Sequence, residues 1–337
     1  MSAVLLVHMI GRGSSTSSLK AAAESAGADA IEAFSIVGNE TRLAILLALW
    51  EAFDPYTEDN AVSFSELRTR VGMSDPGQFN YHLSKLTGQF VHKTDRGYEL
   101  HPAGLHLVQT VIAGTGMKMA TIPPTEIGAT CLRCGAPTAM SYQDGWLYYF
   151  CTECEGFVRG GTGQPEGILF SQAFPPAALS NRTLEEVFAA GVSRLLQAFV
   201  TKMGGICPRC AGKVASTFEI CEAHEPLPGE VCPTCQRQFE VAVKWACTIC
   251  KYRGQAPPCV AAVVHPAVCA FYHDHGVDIG YTIDSFESSQ QILTLMRDHE
   301  QELVSVDPAR VLITIRYAGD ELRLMFDEDM NVVKPNV

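Results

Sequence analysis

Five Cys-x-x-Cys pairs and one Cys-x-x-His all fall after residue 130, and the residues before it hold no cysteine. The pairs are Cys131/Cys134, Cys151/Cys154, Cys207/Cys210, Cys232/Cys235 and Cys247/Cys250, with Cys221/His224 as the sixth. A two-residue spacer lets one turn present two ligand atoms to a single ion, and thiolate with imidazole is the donor set that zinc takes. Six clips therefore predict three zinc ions per chain, each with four protein ligands. A full set of ligands leaves no position for water, so these ions are expected to be structural, standing in for hydrophobic core in small β units. Cys259 and Cys269 have no clip partner and read as buried thiols.

Thirteen cysteines would also suit a secreted disulfide scaffold, but such a protein needs a leader. Met1 to Ile10 is a poor one: its apolar run is short, no positive charge precedes it, and the Gly/Ser-rich stretch Gly11 to Ser18 follows. No run approaches the ~20 apolar residues of a membrane span, so a cytoplasmic protein with no membrane partner is expected. Hydrophobic content of 47% with 18% charge places the 337 residues among folded, multi-domain chains. The expected division is a flexible tail over 1–26, a cysteine-free domain over 27–120, a zinc ribbon over 126–160, a linker with an amphipathic helix over 161–205, a two-zinc β-hairpin over 206–255 and a small α+β module over 256–337. The fold class is α+β.

The front of the chain follows one pattern of punctuation. Ile31, Phe34, Ile36 and Val37 form a first helical stripe, broken at Gly38-Asn39, and Thr41 to Phe53 a second helix. A polar loop leads to a short extended step at Ala61-Val62. Ser63, with Glu66 three residues on, reads as a capping box. Ser74 then caps a helix with Pro76 in its first turn and Phe79, Leu83 and Leu86 as its buried stripe. Val91 to Leu100 is a hairpin tipped by Asp95-Arg96-Gly97, and Pro102 to Ala113 a closing helix. Helix, helix, short strand, helix, turn, capped helix, hairpin, helix is the order of a winged helix-turn-helix.

Burying that stripe leaves Ser74, Gln78, Asn80, Tyr81, Ser84 and Lys85 on or near the outer face. Gln and Asn can bond adenine edges, and Lys can meet guanine or phosphate. His92, Lys93 and Arg96 on the hairpin would contact backbone. The chain carries −12 overall, which opposes a polyanion, but Arg68, Arg70, Lys85, Lys93 and Arg96 outnumber Asp75 and Asp95 between residues 68 and 98, a local net of +3. The stretches Ala33 to Arg42 and Gln78 to Leu86 resemble the ArsR-type winged helix regulators of archaea, haloarchaeal ones in particular. Phe174 to Leu179 and His265 to Val268 resemble the zinc-containing C-terminal region fused to such regulators. The resemblance implies transcription regulation and a homodimer formed through the Asp29–Val37 and Pro102–Ala113 helices. No metal-sensing ligand pattern of that family stands on Phe64 to Val71, and His101 and His106, five apart, read as solvated or core histidines.

In the zinc-rich part, Pro137 to Tyr142 and Trp146 to Phe150 are strands joined by Gln143-Asp144-Gly145, so one four-cysteine site would close the hairpin. Ala211 to Ile220 and Gln236 to Ala246 are strand-like and nearly equal in length. If they pair, Cys207/Cys210 meets Cys247/Cys250 and Cys221/His224 meets Cys232/Cys235, a nested arrangement favoured over sequential pairing, for which Ala211 to Ile220 offers no central turn residue. Arg182 to Met203 is an amphipathic helix, Pro266 to His275 and Phe286 to His299 are further helices, and Val311 to Phe326 is a final hairpin. His273-Asp274-His275 reads as a helix C-terminus where imidazole suits the dipole.

The leading expectation is a DNA-binding regulator whose C-terminal half senses a protein or small-molecule effector. A related alternative resembles archaeal transcription factor E, which also joins a winged helix to a zinc ribbon but ends near it. From a different class, a zinc-containing enzyme could be built around His265, His273 and His275. The sequence lacks a Ser/His, phosphate-loop or open-zinc constellation, and no enzyme is expected.

Overall fold

Asn39 starts the first long helix. Its backbone is extended and its side chain accepts the Arg42 N–H, so α2 runs Glu40–Glu51 behind a short α1, Ile31–Val37. In this computed structural model residues 31–114, 121–279 and 285–333 are described, and the tail expected over residues 1–26 lies outside them. The chain is mixed α+β and divides into two units, Met1–Ile112 and Ala113–Val337.

In the first unit, α3 (Phe64–Val71) and α4 (Pro76–Leu86) are joined by a four-residue turn and followed by β1 (Val91–Thr94), β2 (Gly97–Leu100) and α5 (Pro102–Ile112). Val62 pairs with Tyr98, adding one rung to the β1–β2 hairpin. Gly97 sits at φ +152° against the Val62 carbonyl, where a Cβ would come within 2.2 Å, so only glycine fits. Ile45, Leu46, Leu49, Leu67, Phe79 and Leu83 fill the core. Two local readings change. Ser63 caps α3 through the Glu66 N–H, but the Glu66 carboxylate pairs with Arg70 at 2.8 Å instead of reaching back, so only half of the capping box forms. Asp75, not Ser74, is the N-cap of α4: its Oδ1 accepts from Gly77 and Gln78, while the Ser74 carbonyl accepts from Arg68. An extra carboxylate at the positive end of the helix favours that choice.

The second unit holds three antiparallel sheets around one core. The expected ribbon hairpin, β4 (Pro137–Gln143) and β5 (Trp146–Cys151), turns on Asp144-Gly145, both at positive φ. It is widened by β3 (Ile122–Thr130) and β6 (Ile168–Ala173) into a four-stranded sheet. The second sheet pairs β7 (Val214–Ile220) with β8 (Val241–Cys247) in register from Val214↔Cys247 to Ile220↔Val241, and β9 (Arg253–Ala256) joins the far edge. Between them α6 (Leu184–Met203) starts on a complete Thr183/Glu186 capping box and sets Phe188 on Tyr149 and Phe199 on Trp245.

After α7 (Pro258–Ala261), α8 (Pro266–Asp274) and α9 (Phe286–Arg297), the expected final hairpin is three strands: β10 (His299–Val306), β11 (Ala309–Tyr317) and β12 (Asp320–Phe326). The segments expected as ribbon, linker helix, two-zinc hairpin and α+β module thus share one hydrophobic core. No single helix among the described residues is long and apolar enough to cross a membrane.

Candidate functional site

Four of the five Cys-x-x-Cys clips, those ending at Cys134, Cys210, Cys235 and Cys250, fold alike. In each, the N–H of the first cysteine bonds the carbonyl five residues on: Cys131 to Ala136, Cys207 to Gly212, Cys232 to Arg237 and Cys247 to Tyr252. The residue after the second cysteine is left-handed each time, at Gly135 (φ 77°), Ala211 (55°), Gln236 (59°) and Lys251 (60°). This turn aims both sulfurs to one side and points amide N–H groups at the first, as Arg133 N does to Cys131 Sγ at 3.3 Å and Ile249 N to Cys247 Sγ at 3.4 Å.

The clips converge in three quartets whose ligand atoms all lie within 4.8 Å of one another: Cys131, Cys134, Cys151 and Cys154; Cys207, Cys210, Cys247 and Cys250; and Cys221, His224, Cys232 and Cys235. The last two are the nested pairing. The β7–β8 register carries one quartet at each end of the ladder.

The spacing suits an ion. Four sulfurs about 2.3 Å from a tetrahedral centre are about 3.8 Å apart, against about 2.05 Å in a disulfide. Cys131 and Cys154 are 3.7 Å apart, Cys134 and Cys151 3.5 Å, and both Cys207–Cys250 and Cys210–Cys247 are 3.6 Å. In the mixed set, His224 Nδ1 is 3.5 Å from Cys235 Sγ, and Nε2 lies 3.1 Å from the Gln238 carbonyl. A carbonyl only accepts, so Nε2 carries the proton and Nδ1 keeps the lone pair for a metal.

The electrostatics ask for a cation. At Cys247 the Cys250 N–H, helped by that of Ile249, outweighs burial and pulls the thiol down to about 6. Cys250, although the Tyr252 N–H pulls it down, is pushed up to about 12 by burial and the sulfurs around it. Burial pushes Cys232 up, yet the N–H groups of Cys235, Glu225 and Thr234 bring it down to about 6. Within each quartet one sulfur ionises readily and suppresses its neighbours, a conflict that a divalent ion removes.

In the first unit, Ser74, Gln78, Asn80, Tyr81, Ser84, Lys85, His92, Lys93 and Arg96 are all exposed. Phe79, Leu83 and Leu86 anchor α4 from behind. Tyr81 is 58% exposed and lies under the Lys85 ammonium, 5.7 Å from its ring centre. The cations are less free than the sequence count implies. Arg96 pairs with Asp59 at 2.7 Å, Arg70 with Glu66, and Arg68 holds the turn through the Met73 and Ser74 carbonyls. Residues 31–112 carry six Arg and Lys against ten Asp and Glu, a net −4, so the positive balance is confined to residues 68–98 and includes Arg68 and Arg70 of α3.

Among the described residues, the histidines outside these sites do not converge. His265 caps α8, its Nδ1 accepting the Ala267 N–H at 3.2 Å, and burial lowers its pKa. His275 closes the other end, roughly 15 Å along the axis at 1.5 Å per residue. It is held protonated more readily by the Phe271 carbonyl and by Asp320, 2.9 Å from Nε2. His273 is exposed, as are His101 and His106. Cys259 is buried and its thiol pushed up to about 12 by desolvation. Cys269 is only half-buried. A cavity of about 230 Å³ lies beside the mixed quartet, lined by His224, Gln238, Phe239, Glu240, Val241, Gln301 and Leu303. The left-handed positions Ala211, Gln236 and Lys251 were not legible in advance, because none is glycine.

Residues 128–332 match the family described as Domain of unknown function (DUF7351), and since this spans more than half of the sequence the chain belongs to that family. Residues 30–111 match a second family, described as Domain of unknown function (DUF7347). The two matches divide where the two units divide. No curated protein and no solved structure matches the chain.

Proposed function

We propose that this protein is a DNA-binding transcriptional regulator, with an ArsR-like winged helix-turn-helix over the first unit and three structural zinc ions in the second. The observation that carries the reading is α4: an exposed row of Gln78, Asn80, Tyr81, Ser84 and Lys85 backed by a fully buried stripe and preceded by a short turn from α3. A helix so placed can enter a major groove and bring amide side chains to base edges, with the β1–β2 hairpin as a wing. Zinc is favoured among metals because the quartets hold thiolate and imidazole at tetrahedral spacing. With every position taken by protein, the ions brace the fold and activate no water. A homodimer through α1 and α5 is part of the reading: Ile31 and Phe34, on the α1 stripe, are 73% and 74% exposed, and Ile112 on α5 is exposed as well. The second unit would sense a protein or small-molecule effector, and the cavity beside the mixed quartet offers a place for one.

Genome-wide mapping of bound DNA would supply the operator. On it, Asn80→Ala is expected to cost about 1–3 kcal/mol and to relax specificity at one base pair, while Lys93→Ala weakens all sequences alike. Lys93 replaces Arg96 as the backbone probe, since Arg96 is engaged with Asp59. Wild-type binding by both variants at matched salt would overturn the assignment of α4.

A further inference from the structure

The second zinc-type module is electrically lopsided. Residues 206–213 and 247–256, the end of the sheet that carries the Cys207/Cys210/Cys247/Cys250 quartet, contain Arg209, Lys213, Lys251 and Arg253 and no acidic residue. The opposite end, between 219 and 240, holds Glu219, Glu222, Glu225, Glu230 and Glu240. All four cations are exposed, and among the described residues none of them makes an ion pair, whereas Lys244 and Arg237, toward the other end, are both taken by Glu219. Backbone contacts hold the clips together, with Thr248 N on the Lys213 carbonyl at 3.2 Å and Ala246 in register with Arg253. Arg194 on α6 adds a fifth positive charge near Tyr252. In a chain of net −12 this is a concentrated patch of free positive charge.

The ligand set does not require it. The Cys131/Cys134/Cys151/Cys154 quartet has the same four sulfurs, yet its clips carry Arg133 against Glu153 and Glu155, and the Arg133 guanidinium is spent on the carbonyls of Gly156, Gly229 and Glu230. Nor is the patch a stacking platform: Trp245 is buried and Tyr252 half-buried, and the exposed large apolar side chains at this end, Ile249 and Ile206, carry no ring. Free cations without exposed rings suit the phosphates of a duplex and not the splayed bases of a single strand.

We propose that this end of the second unit is a DNA contact in its own right, gripping the phosphate backbone of double-stranded DNA through Arg209, Lys213, Lys251 and Arg253. It does not depend on the first unit's reading of bases. The test is fluorescence-anisotropy binding of the full-length, metal-loaded protein to a duplex of roughly 40 base pairs, several helical turns long, titrated across salt. The variant Arg209→Gln/Lys213→Gln/Lys251→Gln/Arg253→Gln is compared with an Arg↔Lys exchange at the same four positions, and both are checked for unchanged metal content. Each phosphate neutralised contributes about −0.9 to the slope of log K against log salt, so the Gln variant, with four contacts removed, should flatten the slope by about 3.6 and lose at least about 10-fold in affinity. The exchange variant should bind as wild type. An unchanged slope in the Gln variant overturns the proposal, also if the same variant loses binding to an acidic polypeptide, and so does preferential binding of single strands. Loss in the Gln variant with Asn80→Ala and Lys93→Ala unaffected would sink the α4 reading and leave this one standing, and the converse pattern would do the reverse.

Discussion

At the residue scale, His299 shows how burial makes a side chain pH-sensitive without placing it in a site. Its Nδ1 donates to the Cys259 carbonyl at 2.8 Å and the Tyr272 hydroxyl donates to its Nε2 at 2.9 Å, so both nitrogens are satisfied by the neutral ring. Desolvation pushes its pKa down to about 4, while in the unfolded chain it titrates near 6.5. Between those values the unfolded state binds a proton that the folded state does not. Stability is therefore undiminished above pH ~6.5 and falls as the pH drops toward 4, by about 3 kcal/mol across the window. Chemical denaturation from pH 7 to pH 4.5 should show a steeper loss in the wild type than in His299→Gln. Acid release of metal affects both proteins, so equal slopes would mean that His299 is not the neutral buried group described.

At the element scale, the first and mixed quartets are tied together by a loop lattice. Arg133 donates to the Gly156, Gly229 and Glu230 carbonyls at 3.2, 3.0 and 2.8 Å, Glu155 accepts from Val231 N at 2.6 Å, and Val158 pairs with Arg237. Arg133→Ala should destabilise the second unit by about 2–3 kcal/mol, since three carbonyls lose one charged donor. Thermal melts should show this, with faster chelator-driven loss of metal from the mixed quartet. A melt and release rate equal to wild type would show that the lattice is incidental.

What was legible here followed chemistry with a fixed period. The clip spacing and the nearly equal lengths of the strand-like runs pointed to nesting, and Asp144-Gly145 marked the turn of the first ribbon hairpin. The edge strands were not legible, for reasons visible in their residues. β3 carries Pro123 and Pro124, β9 is the short polar Arg253–Ala256, and β10 opens with His299, Glu300, Gln301 and Glu302 directly after a helix, which extends the helical pattern by eye. Such strands add a rung to a sheet whose interior is already specified, so their own alternation can be weak.

At the scale of the whole molecule, the chain has two units with separate cores. The first unit has its own buried set around Ile45, Leu67 and Phe79, and the quartets lie wholly in the second. A fragment ending near Ala120 should keep operator binding, more weakly, and lose the response to whatever changes occupancy in the cell. Chromatin binding by full-length and truncated forms across growth conditions tests this. Equal tracking by both would remove the sensing role from the second unit.

The six clips are expected to hold three ions, in the pairing 131/134 with 151/154, 207/210 with 247/250 and 221/224 with 232/235. Elemental analysis together with native mass spectrometry of the purified chain measures it directly. Three zinc ions per chain are expected, falling to two in Cys232→Ser, with His224 and Cys235 losing protection from alkylation and mass labelling while Cys207 and Cys250 keep theirs. One ion or none in the wild type, or loss of protection at Cys207 and Cys210 on the same substitution, would contradict the account.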